Sequence, residues 1–200
     1  MKRKTDIQAP MGETTVLLHT CCAPCSSAII EAMLQNGITP VIYYCNPNIY
    51  PREEYEIRKG ECTRYAQSLG LEIVDADYDH DVWLEQMIGL EKEPERGGRC
   101  LECFKMRLAR TAEYAIMRGI KVITTTLASS RWKSLEQINK AGEWACGMIS
   151  LRHSSEVVWW DRNWRKGGLQ ERRLELIRQY DFYNQRYCGC EFSMQILQQQ

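Results

Sequence analysis

Apolar runs and helical patterns alternate along this chain, and that alternation constrains the fold more than any other feature. "TVLLHT" reads as a first strand. Residues 24–36 follow as a predicted helix, with Ile29, Ile30, Met33 and Leu34 on one side and a stop at Asn36-Gly37. "PVIYYC" is β-branched and aromatic, a second strand. "NPNIYP" is a turn, and Pro51 suits the first turn of a helix that runs to about Leu69 and closes at Gly70. "LEIVDA" is a third strand, residues 81–88 a short helix and "EKEPERGG" a loop. Residues 100–118 form a long helix with Leu101, Phe104, Leu108 and Ala115 on its buried stripe. "KVITTT" is a fourth strand, 133–147 a helix, "EVVWW" a fifth strand, and a final helix covers about 169–179. Strands separated by helices need crossover connections. The predicted fold is therefore α/β, a Rossmann-like, mostly parallel sheet of about five strands with helices on both faces. Ligands of such sheets bind beyond the carboxyl ends of the strands, where the strand order reverses.

Cysteines gather at that same edge. There are ten in 200 residues. "CCAPC" (Cys21, Cys22, Cys25) follows the first strand, "RCLEC" (Cys100, Cys103) starts a helix, and "CGC" (Cys188, Cys190) closes the chain's last patterned stretch. Cys100 and Cys103 are one turn apart and face one way, and a helix N-terminus favours the thiolate that binds metal. Gly189 lets "CGC" bend so that both sulfurs reach one ion. Seven ligands are too many for one zinc, which takes four. They suit a four-iron cluster, which takes four cysteines, with a second metal beside it. All seven sulfurs are expected in one pocket at the carboxyl edge of the sheet. Cys62, on a stripe with Tyr55, Tyr65 and Leu69, and Cys146, in an amphipathic helix, read as small apolar core residues. Cys45 ends the second strand and stays open between ligand and packing. A thioredoxin-type dithiol in "CAPC" would leave Cys21, the second pair and "CGC" without a role.

The length suits one α/β domain, 14–200, behind a short basic arm, 1–13, expected to be mobile. No apolar run is long enough to span a bilayer, and no apolar region follows "MKRKTDIQAP" as a secretory signal requires. A cytoplasmic, reducing location is therefore expected, where clustered cysteines bind metal or do redox chemistry more often than they form disulfides. Basic and acidic side chains balance at 26 each, so nucleic-acid binding would need a local patch. "WWDRNWRKGGLQERR" offers one: Arg162, Arg165, Lys166, Arg172 and Arg173 interleaved with Trp159, Trp160 and Trp164. The same stretch also reads as a solvated helix face with core tryptophans.

"LHTCCAPC", "YYCNPNIYPREEYEIRKGE", "GGRCLECFKMRL", "TTTLASSRWK" and "YNQRYCGCEFS", in this order over about 15–194, resemble the QueH family of cobalamin-independent epoxyqueuosine reductases. The resemblance implies reduction of epoxyqueuosine to queuosine at the wobble base of certain tRNAs, the last step of queuosine synthesis. It implies an iron–sulfur cluster with an adjacent iron, no cobalamin, and an adenine-nucleotide α-hydrolase-like fold. Nucleotide-using members of that fold carry a glycine-rich phosphate loop where this chain has "CCAPC", so no use of ATP is expected. Some relatives carry aspartate at the position of Cys25, which marks it as a ligand position.

On this reading Cys22, Cys25, Cys100 and Cys103 hold a [4Fe-4S] cluster, and Cys21, Cys188 and Cys190 hold a mononuclear iron. Cys21 and Cys22 are neighbours and can trade places. Reducing an epoxide to an alkene needs protons. Asp79, Tyr183 and Tyr187 are the candidate acids, Asp79 being equally suited to cap helix 81–88. Arg99 and Arg107 flank the second cysteine pair and suit a phosphate or cluster-tuning role. His19 reads as a core histidine. The electron donor is not identifiable from sequence. The alternative function is a zinc-stabilised RNA-binding module without catalysis. An ATP-dependent tRNA thiolase would require the missing phosphate loop.

Overall fold

The structure, a computed structural model, describes residues 6–198, and of 195–198 the backbone alone. Strands β1 (Thr15–His19), β2 (Thr39–Tyr44), β3 (Ile73–Asp75), β4 (Val122–Thr125) and β5 (Val158–Trp159) form one parallel sheet in the order β3-β2-β1-β4-β5. In register, Leu18 of β1 stands between Ile42 of β2 and Thr124 of β4. The chain moves outward from β1 to β3, then returns to place β4 on the other side of β1. The switch point lies between β1 and β4.

Side chains of β1 alternate between two cores, as a doubly covered strand requires. Val16 and Leu18 join the cluster formed with α1 (Ala23–Gln35), α2 (Arg52–Ser68) and α6 (Leu169–Tyr180). Leu17 faces the opposite cluster, with Ala112 and Ala115 of α4 (Gly98–Met117) and Cys146 and Ile149 of α5 (Leu135–His153). Gly142 of α5 allows Trp159 of β5 to lie flat on that helix: a Cβ there would stand 2.2 Å from the indole. Cys62 and Cys146 are both buried in these cores.

Several boundaries differ from the sequence pattern for identifiable reasons. Helix α4 begins at Gly98, whose amide donates to Glu93 Oε2 at 2.8 Å, so both Cys100 and Cys103 fall in its first two turns. Helix α5 is capped by Ser134, which accepts from the Gln137 amide, and runs six residues past 147. Its apolar stripe continues through the buried Ile149 until Ser154 adopts left-handed backbone (φ 49°). Helix α3 (His80–Gln86) matches its pattern, but α7 (Glu191–Gln198) was not expected. The Cys190 carbonyl accepts the amides of Ser193 and Met194, both at 3.1 Å, and so starts a helix directly after "CGC".

Residues 1–5 of the expected arm lie outside the described residues. Within 6–13, Ile7 and Ala9 are buried in the main core, and Arg162 donates to the Asp6 carbonyl. Packing therefore begins near Ile7, not at residue 14. No helix among the described residues is long and apolar enough to cross a membrane.

Candidate functional site

After β1 the chain runs through Thr20, Cys21 and Cys22 into α1, with Pro24 in the first turn. Thr126, just past β4, ties this bend across the switch point. Its hydroxyl oxygen accepts the Cys21 amide at 3.1 Å and lies 3.3 Å from Cys21 Sγ. The sulfurs of Cys21, Cys22 and Cys25 come within 4.8 Å of one another, and among the described residues no other trio of His, Cys, Asp or Glu side chains is gathered as tightly. Cys21 and Cys22 Sγ are 3.8 Å apart.

Within this trio each thiol shifts its neighbours. Hydrogen bonds from Cys22 and Cys25 hold the Cys21 thiol well below its ordinary pKa, against the opposing effect of burial. Burial, together with Cys21, pushes Cys22 well above its ordinary value. The bond with Cys21 pushes Cys25 up to about 12. Three sulfurs gathered in one buried site fit a soft metal, whose binding displaces the thiol protons.

A cavity of about 710 Å³ opens beside the trio, lined by Cys21 and Cys25 together with Cys100 and Cys188. Cys103 and Cys190 sit in an apolar cluster with Trp83 and Met87. Burial raises the thiol pKa of Cys100, and it raises Cys190 to about 11. Lys133 places Nζ 2.9 Å from Cys188 Sγ. Burial opposes the lysine charge, but Cys188 and, more weakly, Cys21 outweigh it and raise its pKa. Arg107 is buried between the strand ends and the cysteines. It donates to the Cys45 carbonyl at 3.2 Å and to Asn46 Oδ1, with Cys103 Sγ at 4.0 Å. Burial opposes its charge too, and the Cys103 and Cys21 sulfurs more than compensate. Two cations thus stand beside the sulfurs, and each favours the thiolate form of its neighbour. Of the seven cysteines, Cys21, Cys25, Cys100 and Cys188 line the cavity, Cys22, Cys103 and Cys190 do not, and only Cys21, Cys22 and Cys25 are in mutual contact distance.

Gln185 is a neighbour that sequence reading missed. Its Nε2 lies 3.2 Å from Cys22 Sγ and 3.9 Å from Cys25 Sγ, and its buried Oε1 has no hydrogen-bond partner. Asn48, 2% exposed and also on the cavity wall, has an unpartnered Oδ1. Each is a buried acceptor on the cavity wall, open to a water or a ligand. Both residues fall inside quoted motifs, "NPNIYP" and "YNQRYCGC", but Asn and Gln carry no spacing signal that would single them out.

Arg58 was missed as well. It is buried, paired with Glu54 at 2.6 Å, and donates to the Tyr187 and Cys188 carbonyls at 3.3 Å each. Tyr183 donates to Glu54 Oε2 at 2.7 Å, and the Tyr187 ring lies 5.2 Å from the Arg58 guanidinium. The two tyrosines help clamp the "CGC" segment onto α2. Tyr187 also lines the cavity, with its hydroxyl donating to the Tyr50 carbonyl, whereas Tyr183 does not line it. Asp79 is likewise absent from the cavity wall; its carboxylate is paired with Arg110, and it sits at the cap position of α3 without a side-chain cap bond.

The tryptophans of the basic segment are not available for stacking on RNA. Trp164 is 0% exposed, Trp160 is buried, and the two pack edge to face. Arg172 is held by Glu31 and Glu175, Arg173 donates to the Pro24 carbonyl, and Arg165 to the Lys133 carbonyl, while Lys166 is exposed. Arg99 is buried and donates to the Leu90 and Glu91 carbonyls, so it shapes the loop before α4. His19 is a core residue. It bridges Thr125 Oγ1 and the Cys45 carbonyl, and burial with the Arg107 charge lowers its pKa to about 3. Cys45 is fully buried, with its thiol raised to about 11 by burial.

Residues 16–196 match the family model described as epoxyqueuosine reductase QueH. Relatives bearing that name include one from Haemophilus influenzae, 46% identical over 188 residues, covering 94% of this chain and 75% of the relative. One from Acinetobacter baylyi is 44% identical over 193 residues, covering 96% and 86%. A more distant one from Thermotoga maritima is 31% identical over 183 residues, covering 90% of each chain.

Proposed function

This chain belongs to the epoxyqueuosine reductase QueH family of oxidoreductases, and on that premise we propose that it reduces epoxyqueuosine in tRNA to queuosine, using a [4Fe-4S] cluster and an adjacent iron. The observation that carries the reading is the thiol-lined cavity at the switch point, with Lys133 and Arg107 beside the sulfurs. The reaction takes up two electrons and two protons, breaks both C–O bonds of the epoxide, forms an alkene and releases water. Iron–sulfur groups would supply single electrons and a Lewis acid for the departing oxygen.

The chain's own residues do the rest. Cys22, Cys25, Cys100 and Cys103 are the proposed cluster ligands, and Cys21, Cys188 and Cys190 the ligands of the second iron. Cys21 contacts Cys22 and Cys25, so it stands next to the proposed cluster ligands. One observation favours another partition. Sulfurs on a single tetrahedral ion, at about 2.3 Å each, stand about 3.8 Å apart. The Cys21–Cys22 distance equals that value. In that partition Cys21, Cys22 and Cys25 take the single iron, and the other four take the cluster. Cys22→Ser separates the two: loss of labile sulfide supports the first partition, and loss of one iron with sulfide retained supports the second.

Asn48 and Gln185 offer carboxamide oxygens to the polar substituents of the substrate. Tyr187, on the cavity wall and raised to about 12 by burial, keeps its proton at neutral pH and is the proposed acid. Each of the three candidate acids would leave a present partner to serve, Tyr187 the Tyr50 carbonyl, Tyr183 Glu54 and Asp79 Arg110, and of the three only Tyr187 lines the cavity. Of the basic segment, Arg162, Arg165, Lys166 and Arg173 remain the proposed phosphate contacts, since the three arginines donate to neutral carbonyls, whereas carboxylates already neutralise Arg172. The test is anaerobic incubation of the iron-loaded chain with epoxyqueuosine-containing tRNA and a chemical reductant, followed by nucleoside analysis. Queuosine should form, and its absence from fully loaded protein would overturn the reading.

A further inference from the structure

A second, shallower cavity of about 620 Å³ adjoins the thiol-lined one, and Arg96, Arg131, Lys133, Ser134 and Gln137 line both. Five cations line it, Arg96, Arg131, Lys133, Lys140 and Arg165, against the single carboxylate of Glu136. On a chain with no net charge this is a concentrated positive groove. Between the shared residues Arg131 and Lys133, on the rim of the thiol-lined cavity, stands Trp132, 77% exposed.

An exposed indole is usually a loose one, but this one is anchored. Arg96 donates from Nη2 to the Arg131 carbonyl at 3.1 Å and from Nε to the Trp132 carbonyl at 2.8 Å. Arg165 donates to the Lys133 carbonyl at 2.7 Å. Three consecutive carbonyls are therefore fixed, and the ring is held up without being covered. Both arginines spend their donors on neutral carbonyls, so their charge stays uncompensated. Burial and the nearby Arg96 lower the pKa of Arg165, a sign of crowded cations that an anion would relieve.

We propose that this groove binds the sugar–phosphate backbone of a single-stranded RNA loop, with Trp132 stacking on the base next to the one that enters the thiol-lined cavity. Exposed aromatic rings interleaved with cations are the usual means of holding unpaired nucleotides, because stacking tolerates any base while cations follow the backbone. The proposal rests on the reading of the chain as an enzyme acting on tRNA, and it places the RNA on a surface separate from the buried Trp160 and Trp164.

The test is fluorescence anisotropy of a labelled anticodon stem-loop carrying epoxyqueuosine, titrated with iron-loaded protein at several salt concentrations. Trp132→Ala should raise Kd at least about fivefold, whereas Trp132→Phe should keep most of the affinity. The Arg131→Gln/Lys140→Gln double variant should flatten the plot of log K against log salt by about 0.7 for each phosphate it no longer neutralises. Iron and sulfide content should match the parent in all three. Parent-like affinity in Trp132→Ala, or a parent-like salt slope in the double variant, overturns the groove while leaving the enzymatic reading intact. A parent protein that neither binds nor reduces the stem-loop overturns both.

Discussion

Replacing Arg58 by methionine should loosen the segment that carries Cys188 and Cys190. Arg58 is 3% exposed and sits between the Glu54 carboxylate and two main-chain carbonyls of that segment. Methionine fills similar space without charge. Glu54, 8% exposed, then keeps only the Tyr183 hydroxyl as a partner in the network. Removing one member of a buried ion pair costs about 3–5 kcal/mol, because the other charge remains unpaired. For a chain of this size 1 kcal/mol shifts Tm by about 2–4 °C, so a fall of roughly 6–20 °C is expected. Thermal unfolding of the metal-free chain, followed by circular dichroism under anaerobic conditions, reads this directly. If the unpaired carboxylate dominates the loss, the Glu54→Gln/Arg58→Met double variant should recover part of it. Both variants should bind the second iron less tightly, since the carbonyls of Tyr187 and Cys188 lose their donor in each. A double variant no more stable than Arg58→Met, with full iron content in both, would refute the clamp.

Cys62→Ser and Cys146→Ser should each lower stability yet leave iron and sulfide per chain unchanged, because both thiols are packed in helix cores; metal analysis of folded protein checks this. Gly142→Ala should destabilise by about 1–3 kcal/mol, since the new methyl group meets the Trp159 ring, and urea unfolding should show it without any change in metal content. Tyr187→Phe should reduce kcat by about a hundredfold if its hydroxyl delivers a proton, with iron content retained, and single-turnover kinetics would separate that effect from binding.

The alternation of apolar runs with helical stripes was enough to read the parallel sheet, because doubly covered strands such as "TVLLHT" must be apolar throughout. Strand-end placement likewise identified Cys21, Cys22 and Cys25 as a group. Helix α7 escaped because its start is set by the Cys190 carbonyl, an interaction that a metal-tail reading of "CGC" does not suggest. The basic segment misled for a related reason. Interleaved arginines and tryptophans look the same whether the rings face water or core, and here β5 and α6 bury Trp160 and Trp164. Tyr183 and Tyr187 were legible only as candidate acids, not as parts of a clamp. Their engagement with Glu54 and Arg58 depends on α2, more than 120 residues earlier in the chain, and no local pattern encodes that. Trp132 lay inside a quoted motif, but its exposure depends on Arg96 and Arg165 holding the loop from outside.

The central claim is that these cysteines hold iron and sulfide for reductive chemistry. Its most direct test is iron, zinc and acid-labile sulfide per chain in anaerobically purified protein, set beside the Cys100→Ser/Cys103→Ser variant. The account predicts iron with labile sulfide in the parent and loss of the sulfide in the variant. Zinc without sulfide in the parent, or unchanged sulfide in the variant, would contradict it and favour a zinc-stabilised RNA-binding module.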